Sequence, residues 1–341
     1  MRAAIVNPYL DTLGGGERYS AAVAEVLLAN GYDVSIEWKE ASILKKLETR
    51  FGINLGGVKV TPNVKRGDGF DVCFWVSDGS IPALKARKNF LHFQVPFHDV
   101  SGNTLLNRMK LFRIAKIICN SNFTKSFIDK EYHVNSIVIY PPIGVDKIKP
   151  KRKENIILFV GRFSQLKQVK NQDLLIKAFK NFYTRGFDDW KLILAGGSEI
   201  GGGEYVRHLK KMVGEYPITI FEGPSFKELV RLYGQAKIFW SAVGYGANDR
   251  REPEKVEHFG ISLVEAMAAG CVPVAFRAGG YKEIIRDGKN GFLWKTPREL
   301  LLKTKKILTE KGLLAKISVR AREDSLGYGY EEFSKAFSKY L

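Results

Sequence analysis

The sequence has few cysteines and no long hydrophobic run. Its 341 residues include only Cys73, Cys119 and Cys271, which lie far apart in apolar stretches and match no metal or redox spacing. We therefore expect buried thiols in a reducing compartment. No apolar run approaches the roughly 20 residues that a membrane-spanning helix needs, and no signal-peptide pattern follows Met1. These absences predict a cytoplasmic protein.

Acidic residues are too few to balance the basic ones. The chain has 54 Lys and Arg against 36 Asp and Glu, a formal net charge of +18. The balance is +6 over residues 1–150 and +12 over residues 151–341, so no single tail accounts for it. Such a surface attracts anions, whether nucleic acid, acidic lipid or a phosphorylated substrate. A solvated, lysine-rich surface like that of thermophile proteins explains the same charge.

Strand-like and helix-like patterns alternate along the chain. A strand at 3–6 precedes a helix at 16–29, and the pattern restarts with a strand at 156–160. This alternation predicts an α/β fold of two doubly wound domains, each with a parallel sheet between helices. Two consecutive prolines at 141–142 indicate a linker. In such domains ligands bind at the carboxyl ends of the strands, which we expect to face a cleft between the halves.

Residues 257–270 carry two carboxylates around a helix start. We expect a helix over 262–269, with Gly270 as its left-handed cap, Glu257 in the preceding loop and Glu265 in the second turn. Gly260 lets a ligand approach the backbone, whose unpaired N–H groups face an anion. A sugar nucleotide suits this surface because its diphosphate needs donors and its hydroxyls need carboxylate acceptors. Solvated or capping glutamates are the alternative.

Two further loops have phosphate-binding chemistry. Glycines 14–16 open the first predicted helix and bring N–H groups toward a phosphate, although they do not form G-x-G-x-x-G. Arg162 follows the first strand of the second half, with Lys167 and Lys170 soon after, so these cations can clamp a diphosphate. A plain flexible loop and a solvated basic loop are the respective alternatives.

One histidine lies at the end of a predicted strand. His92 is surrounded by apolar residues, a setting in which histidines are usually satisfied core groups. At the carboxyl end of a parallel strand, however, it faces the ligand. We favour the functional interpretation for His92 over that for His98.

Residues 104–118 mix apolar and basic side chains. On a helix, Lys110, Arg113 and Lys116 lie on or near one face, while Leu105, Met109 and Phe112 point elsewhere. Residues 115–120 also have the pattern of a buried strand. Such a helix can lie on an anionic membrane. The alternative is an ordinary amphipathic helix packed on the sheet.

Together these motifs resemble the retaining glycosyltransferases of family 4, which have the GT-B architecture. The resemblance covers nearly the whole chain, and its Glu-x7-Glu element is specific in this context. Within the family the chain looks most like α-1,2-mannosyltransferases that extend lipid-linked oligosaccharides, and like related prokaryotic enzymes. The resemblance rests on the motifs at 14–16, 120–124, 142–146, 161–162, 170–176, 257–270, 279–284 and 287–293.

The resemblance implies two Rossmann-like domains and a reaction. Residues 1–145 form an acceptor-side domain, completed by a terminal helix at 328–341, and residues 146–327 bind the nucleotide sugar. The enzyme moves a hexose, mannose among the candidates, from a nucleoside-diphosphate sugar to a hydroxyl of a glycan or lipid-linked acceptor. It retains the anomeric configuration and needs neither metal nor cofactor; the absence of Asp-x-Asp disfavours a metal-dependent GT-A enzyme.

The resemblance also assigns roles to residues. Glu265 binds the ribose hydroxyls, Glu257 the 3- and 4-hydroxyls of the sugar, and His92 its 6-hydroxyl. Arg162 and Lys170 stabilise the departing diphosphate, although a longer intervening loop leaves Lys167 as an alternative to Lys170. The remaining donor contacts are Gly15, Gly16, Phe259, Gly260 and Ile261.

Two other functions stay open from the sequence. One is another GT-B enzyme, a sugar phosphorylase or an epimerase. The other is nucleic-acid binding, which the charge permits; the chain lacks aromatic–basic RNA motifs and a recognition helix, so we expect no nucleic-acid partner. The expected location is cytoplasmic and peripheral, on the inner face of the cell membrane.

Overall fold

The computed structural model describes residues 1–165, 168–198 and 202–341. They form two compact units. The N-terminal unit comprises residues 1–142 and 330–341, and the C-terminal unit comprises residues 143–329. The boundaries expected from the sequence, 145/146 and 327/328, lie within three residues of these.

The N-terminal unit is built on a parallel sheet of seven strands in the order β3-β2-β1-β4-β5-β6-β7. The strands are β1 Arg2–Val6, β2 Asp33–Glu37, β3 Lys59–Thr61, β4 Val72–Val76, β5 Lys88–Phe93, β6 Lys116–Cys119 and β7 Ile137–Val138. The strand order reverses between β1 and β4, because β2 and β3 lie on one side of β1 and the later strands on the other. The carboxyl end at such a reversal is where doubly wound folds bind ligands.

The N-terminal unit has five α-helices. They are α1 Gly15–Ala29, α2 Ser42–Phe51, α3 Leu105–Leu111, α4 Asn122–Tyr132 and α12 Tyr330–Ser338. Helix α1 is rich in alanine and valine and packs into one apolar cluster with the sheet. The terminal helix α12 joins the same cluster through Phe333 and Phe337. Phe333 meets the ring of Tyr19 edge-on, with centroids 5.1 Å apart.

The C-terminal unit has six parallel strands in the order β10-β9-β8-β11-β12-β13. The strands are β8 Glu154–Val160, β9 Lys191–Gly196, β10 Ile218–Glu222, β11 Ala236–Ser241, β12 Val272–Phe276 and β13 Phe292–Trp294. The helices are α5 Gln172–Tyr183, α6 Gly202–Val213, α7 Phe226–Gln235, α8 Ile261–Ala268, α9 Tyr281–Ile284, α10 Pro297–Thr309 and α11 Leu313–Ser325. Both units therefore have the predicted doubly wound α/β architecture.

The helix expected over 104–118 is wrong beyond residue 111. Helix α3 ends at Leu111, and Lys116 is already the first residue of β6. The apolar residues after Lys116 are buried in the sheet, which requires an extended backbone. Arg113 and Lys116 consequently share no helical face with Lys110.

The three cysteines are free and buried, as predicted. Burial raises the pKa of Cys73 and Cys119 to about 12, and that of Cys271 to about 11. Such thiols stay protonated at neutral pH and are poor nucleophiles. Within the described ranges, no helix is long and apolar enough to cross a membrane.

Candidate functional site

The loop before α8 is held by glycines. Gly260 precedes the helix with φ +125°, a backbone conformation that other residues rarely adopt. A Cβ there would approach the Tyr281 ring to 2.7 Å. The N–H of Gly280 donates to the carbonyl of Glu257 at 2.8 Å, and a Cβ on Gly280 would meet the carbonyl of His258 at 2.5 Å. The loop therefore packs backbone to backbone on the turn after β12.

Two predicted site residues, Lys170 and Glu257, form an ion pair between this loop and the segment before α5. Lys170 Nζ lies 3.1 Å from Glu257 Oε2, and their side chains are only 10% and 19% exposed. Lys170 also donates to Gln168 Oε1 at 2.6 Å, and Gln168 Nε2 donates to the Val256 carbonyl at 2.5 Å. The segment before α5 is thus tied to the segment before α8 by a charged and a neutral contact.

Glu265 lies inside α8 and is almost fully buried. It is 7% exposed, and its Oε2 accepts a hydrogen bond from Tyr233 Oη at 2.9 Å. Tyr233 belongs to α7 and is itself buried. The sequence analysis did not identify Tyr233, because nothing in its neighbourhood links it to a carboxylate 32 residues away.

Arg162 follows β8 at the carboxyl edge of the sheet. The carbonyl of Arg162 accepts a hydrogen bond from Gln172 Nε2 at 2.9 Å, which fixes the Arg162 backbone at the start of α5. Asn171, the residue before α5, has φ +53°, and its Nδ2 donates to the Ala242 carbonyl at 2.9 Å. Arg162 and Lys170 therefore flank the same helix start. Lys167 lies outside the described residues.

A pocket of about 400 Å³ adjoins this region of the C-terminal unit. Arg250 and Arg277 line it, together with Asp249, whose carboxylate accepts from Lys282 Nζ at 2.6 Å. Arg277 directly follows β12. The extended loop at 244–255 therefore contributes one cation and one carboxylate to this pocket, and Arg277 adds a second cation at the carboxyl end of β12.

In the N-terminal unit, glycines 14–16 do open α1, which begins at Gly15. The carboxylate of Glu17 accepts a hydrogen bond from the N–H of Gly14 at 2.7 Å and another from Asn7 Nδ2 at 3.3 Å. A Cβ on Gly16 would lie 3.4 Å from the Gln94 side chain. Glu17 and Gln94 thus shape this helix start, and the sequence analysis identified neither.

His92 does not reach the surface, contrary to the expectation that it faces a ligand. It is 0% exposed and stacks on Tyr19, with ring centroids 3.9 Å apart. Nδ1 lies 3.0 Å from the Ile118 carbonyl and Nε2 lies 2.6 Å from Gln94 Nε2. Burial lowers the pKa of His92 to about 3, so the ring is neutral. Nδ1 then donates to Ile118, Nε2 accepts from Gln94, and the edge of the sheet is occupied by Gln94.

Gln94 is held from a second side. Asn120 Nδ2 donates to both the carbonyl and the Oε1 of Gln94, each at 3.0 Å. Asn120 comes directly after β6, and Gln94 directly after β5.

Among the described residues, no three His, Cys, Asp or Glu side chains are grouped so that they could hold a metal ion.

Comparison with known proteins identifies the family and the fold of the chain. A family model described as "Glycosyl transferases group 1" matches residues 145–324. An uncharacterized glycosyltransferase of Methanocaldococcus jannaschii is 28% identical over 83% of this chain and 76% of its own length. The GDP-Man:Man(3)GlcNAc(2)-PP-Dol alpha-1,2-mannosyltransferase of Dictyostelium discoideum is 27% identical over 64% of this chain and 45% of its own length. The chain thus spans about half the length of that mannosyltransferase.

Among solved structures, HepE of Anabaena in complex with UDP superposes with a TM-score of 0.79. The two sequences are 17% identical, and the superposition covers 99% of each chain. The likeness establishes the fold, which is that of the GT-B glycosyltransferases predicted from the sequence motifs.

Proposed function

We propose, from the premise that this chain belongs to the family of group 1 glycosyl transferases, that it is a retaining hexosyltransferase. It moves a hexose, mannose in our proposal, from a nucleoside diphosphate to a hydroxyl of a glycan or lipid-linked acceptor. The observation that carries the proposal is the Lys170–Glu257 pair in the C-terminal unit. The pair sets a cation and a carboxylate side by side at the carboxyl edge of the sheet, where one compact ligand with phosphate and hydroxyl groups can meet both.

The donor contacts follow from this arrangement. Lys170 and Arg162 flank the start of α5 and stabilise the negative charge of the leaving diphosphate. The N–H groups at 259–261 begin α8, where the helix dipole favours an anion. Glu257 accepts hydrogen bonds from sugar hydroxyls, and Glu265, oriented by Tyr233, accepts them from the ribose. Gly15 and Gly16 supply further N–H groups at the start of α1.

The reaction needs no protein nucleophile in this proposal. The bond between the anomeric carbon and the diphosphate oxygen breaks while the acceptor oxygen bonds to the same face of that carbon. The electron pair of the broken bond stays on the diphosphate, whose negative charge is met by Arg162 and Lys170, and the acceptor proton passes to an oxygen of this leaving group. The residues present require no metal for this step, so EDTA should leave turnover intact.

His92 can contact the donor sugar in this scheme only after Gln94 moves. Its Nε2 is engaged by Gln94, so contact between His92 and the 6-hydroxyl of the sugar requires the Gln94 amide to move aside. The hydroxyl would then donate to the neutral ring in place of the amide.

Helix α3 supports an acceptor carried by a membrane lipid. None of its residues is buried, and within α3 Leu111, partly buried, packs against the apolar cluster of β5 and β6. Four large apolar side chains are 61–89% exposed at Leu105, Leu106, Met109 and Phe112. Burying one such side chain contributes about 1.5–3 kcal/mol, and each nearby basic residue adds about 1 kcal/mol on anionic lipid. We place the enzyme peripherally on the inner face of the cell membrane.

A donor panel tests the proposed activity. The named relatives point to two bases, because the Dictyostelium enzyme is named for GDP-mannose and HepE was solved with UDP. GDP-mannose and UDP-hexoses should raise the melting temperature by mass action if they bind, and NMR of the product should show the donor's anomeric configuration. An inverted product, or turnover that requires free phosphate, would contradict the proposal.

A further inference from the structure

The pocket of about 400 Å³ in the C-terminal unit has two arginines that the donor scheme does not use. Arg250 comes from the loop at 244–255, and Arg277 directly follows β12. Both side chains are exposed. Phe276 and Ala278 line the pocket on either side of Arg277 in the chain and form an apolar wall. The pocket therefore combines two cations from separate segments with an apolar surface.

The acidic residues of the loop do not neutralise these arginines. The carboxylate of Asp249, which also lines the pocket, pairs with Lys282 Nζ at 2.6 Å. The carboxylate of Glu252 pairs with Lys255 Nζ at 2.5 Å. Across the described ranges of the chain, no acceptor group engages either guanidinium group of the pocket. The pocket therefore keeps a positive charge that an anion can neutralise.

The loop holds Arg250 in place by packing and by backbone hydrogen bonds. The ring of Tyr245 packs edge-on against Phe276, with centroids 5.5 Å apart, and also lies against Trp294 at 5.7 Å. Asn248 Oδ1 accepts a hydrogen bond from the N–H of Arg250 at 3.0 Å. The position of Arg250 is thus set before a ligand binds, which reduces the entropy that binding costs.

Two contacts tie the pocket to the segments that carry the predicted donor residues. Asn171, at the start of α5, donates from Nδ2 to the Tyr245 carbonyl at 3.3 Å. The N–H of Gly280, three residues after Arg277, donates to the Glu257 carbonyl at 2.8 Å. The pocket is therefore connected to both the α5 start and the loop before α8 within one unit.

Guanidinium groups select phosphoryl groups by shape as well as by charge. A planar guanidinium donates two parallel hydrogen bonds to phosphate oxygens, whereas a lysine ammonium acts as a point charge. Two arginines from separate segments can bind different oxygens of one phosphate. The pocket volume of about 400 Å³ lies within the roughly 300–1,000 Å³ of ordinary small-molecule sites. It therefore also has room for a group esterified to the phosphate.

We propose that this pocket binds a phosphoryl group, as a phosphate ester or as free phosphate, that is distinct from the leaving diphosphate. The distinction rests on the proposed function, which assigns the leaving diphosphate to Arg162 and Lys170. In the pocket, phosphate oxygens accept hydrogen bonds from Arg250 and Arg277, and the apolar wall contacts the esterified group. A phosphorylated acceptor and a free phosphate ion are the two sources of this chemistry.

Methyl phosphate is the probe for binding to the full chain, measured by calorimetry. We expect its dissociation constant to rise roughly tenfold or more when R250Q and R277Q are combined, the scale of one lost charge-assisted hydrogen bond. The control combines R185Q with R251Q. It removes the same charge from two exposed arginines that do not line the pocket, and it should bind methyl phosphate normally.

A third variant separates the pocket from the donor residues. R162Q combined with K170Q should keep the methyl phosphate site that R250Q with R277Q loses. Loss of binding in R162Q with K170Q, and not in R250Q with R277Q, would overturn the proposal, because the phosphate would then occupy the site of the leaving diphosphate. Equal binding by every variant would overturn it as well.

Acceptor kinetics identify the source of the phosphoryl group. An octyl α-mannoside is compared with its counterpart whose octyl chain ends in a phosphate. If the acceptor supplies the phosphoryl group, the counterpart should have a roughly tenfold lower Michaelis constant, and R250Q with R277Q should remove the difference. Equal Michaelis constants, together with methyl phosphate binding at the pocket, would identify free phosphate as the ligand.

Failure of the proposed function can be recognised separately. If no nucleotide sugar binds and no sugar is transferred, the proposed function fails. The binding of methyl phosphate by the natural chain and by R250Q with R277Q still decides whether the pocket is a phosphoryl site.

Discussion

Lys170 Nζ and Glu257 Oε2 lie 3.1 Å apart although 87 residues separate them in the chain. The contact joins the start of α5 to the loop before α8, so the two motifs that the sequence marks as site candidates lie together. Such pairing also makes each residue dependent on the other, since removing one partner leaves a poorly exposed charge without its counter-ion.

The first prediction concerns the cations at the diphosphate. R162A and K170A should each lower kcat/KM. The expected loss of transition-state stabilisation is roughly 2–4 kcal/mol, the scale of losing one preorganised donor. Single-turnover kinetics with a saturating acceptor would measure this. K167A is the matched control and should have a small effect; a crippled K167A beside a normal K170A would show that the phosphate lysine had been misassigned.

The second prediction separates the two glutamates. E265A should mainly weaken donor binding, because ribose contacts are similar in the ground and transition states. E257A should reduce turnover more, since Glu257 orients the sugar that reacts. Donor titration by calorimetry, combined with measurement of kcat, distinguishes the two effects. Unchanged kinetics in both variants would contradict the assignment of the two glutamates to the site.

Tyr233 gives the third prediction. Y233F deletes only the hydroxyl that donates to Glu265, so Glu265 should lose its orientation and donor KM should rise about three- to tenfold, with kcat nearly unchanged. Y183F is the control, because the Tyr183 ring packs on Tyr216 in the same unit, away from Glu265. A lowered melting temperature with normal donor KM would assign Tyr233 to stability alone.

The fourth prediction concerns pH. The pKa of His92 is lowered to about 3 by burial, below its ordinary value of 6.5. At pH values between about 3 and 6.5, the unfolded chain therefore binds a proton at His92 that the folded chain does not. His92 thus contributes stability above pH 6.5 that is lost as the pH falls toward 3. Urea unfolding at pH 7 and pH 5 should show this loss, and H92N should show less of it.

The exposed His133 supplies the control for that experiment. H133N keeps a residue that tolerates the left-handed conformation found there, φ +51°. It should show the same pH dependence as the natural chain. Equal pH dependence in H92N and the natural chain would mean that other groups carry the acid sensitivity.

The sequence predicts the fold where apolar runs are long and bounded by glycine or proline. Helix α1 after its three glycines and β12 after Gly270 are such cases. Strands β3 and β13 have three residues each, too few for a periodic pattern, and were not predicted. A helix over the whole of 104–118 was also wrong, whereas the strand expected over 115–120 is present as β6. Apolar side chains run through both stretches, and the sheet decides where the strand begins.

The site was predictable in its residue types and not in its contacts. Glu257, Lys170 and Glu265 stand in recognisable motifs, so their chemistry could be read from the chain. Tyr233 and Gln94 act through partners that only folding brings near, and each belongs to no motif. The burial of His92 likewise depends on stacking against Tyr19, a residue of α1, whereas His92 lies in β5.

The last prediction concerns the membrane. L105S, M109S and F112S combined should abolish co-sedimentation with anionic vesicles, because these side chains are 61–89% exposed and supply the apolar area that enters the lipid. The control is L302S with V319S, which removes apolar side chains 54% and 60% exposed on the C-terminal unit and should bind vesicles normally. Because the three substituted side chains are exposed in the folded protein, the melting temperature should not change. Binding that the triple variant keeps, or that is the same on neutral vesicles at low salt, would contradict membrane docking through α3.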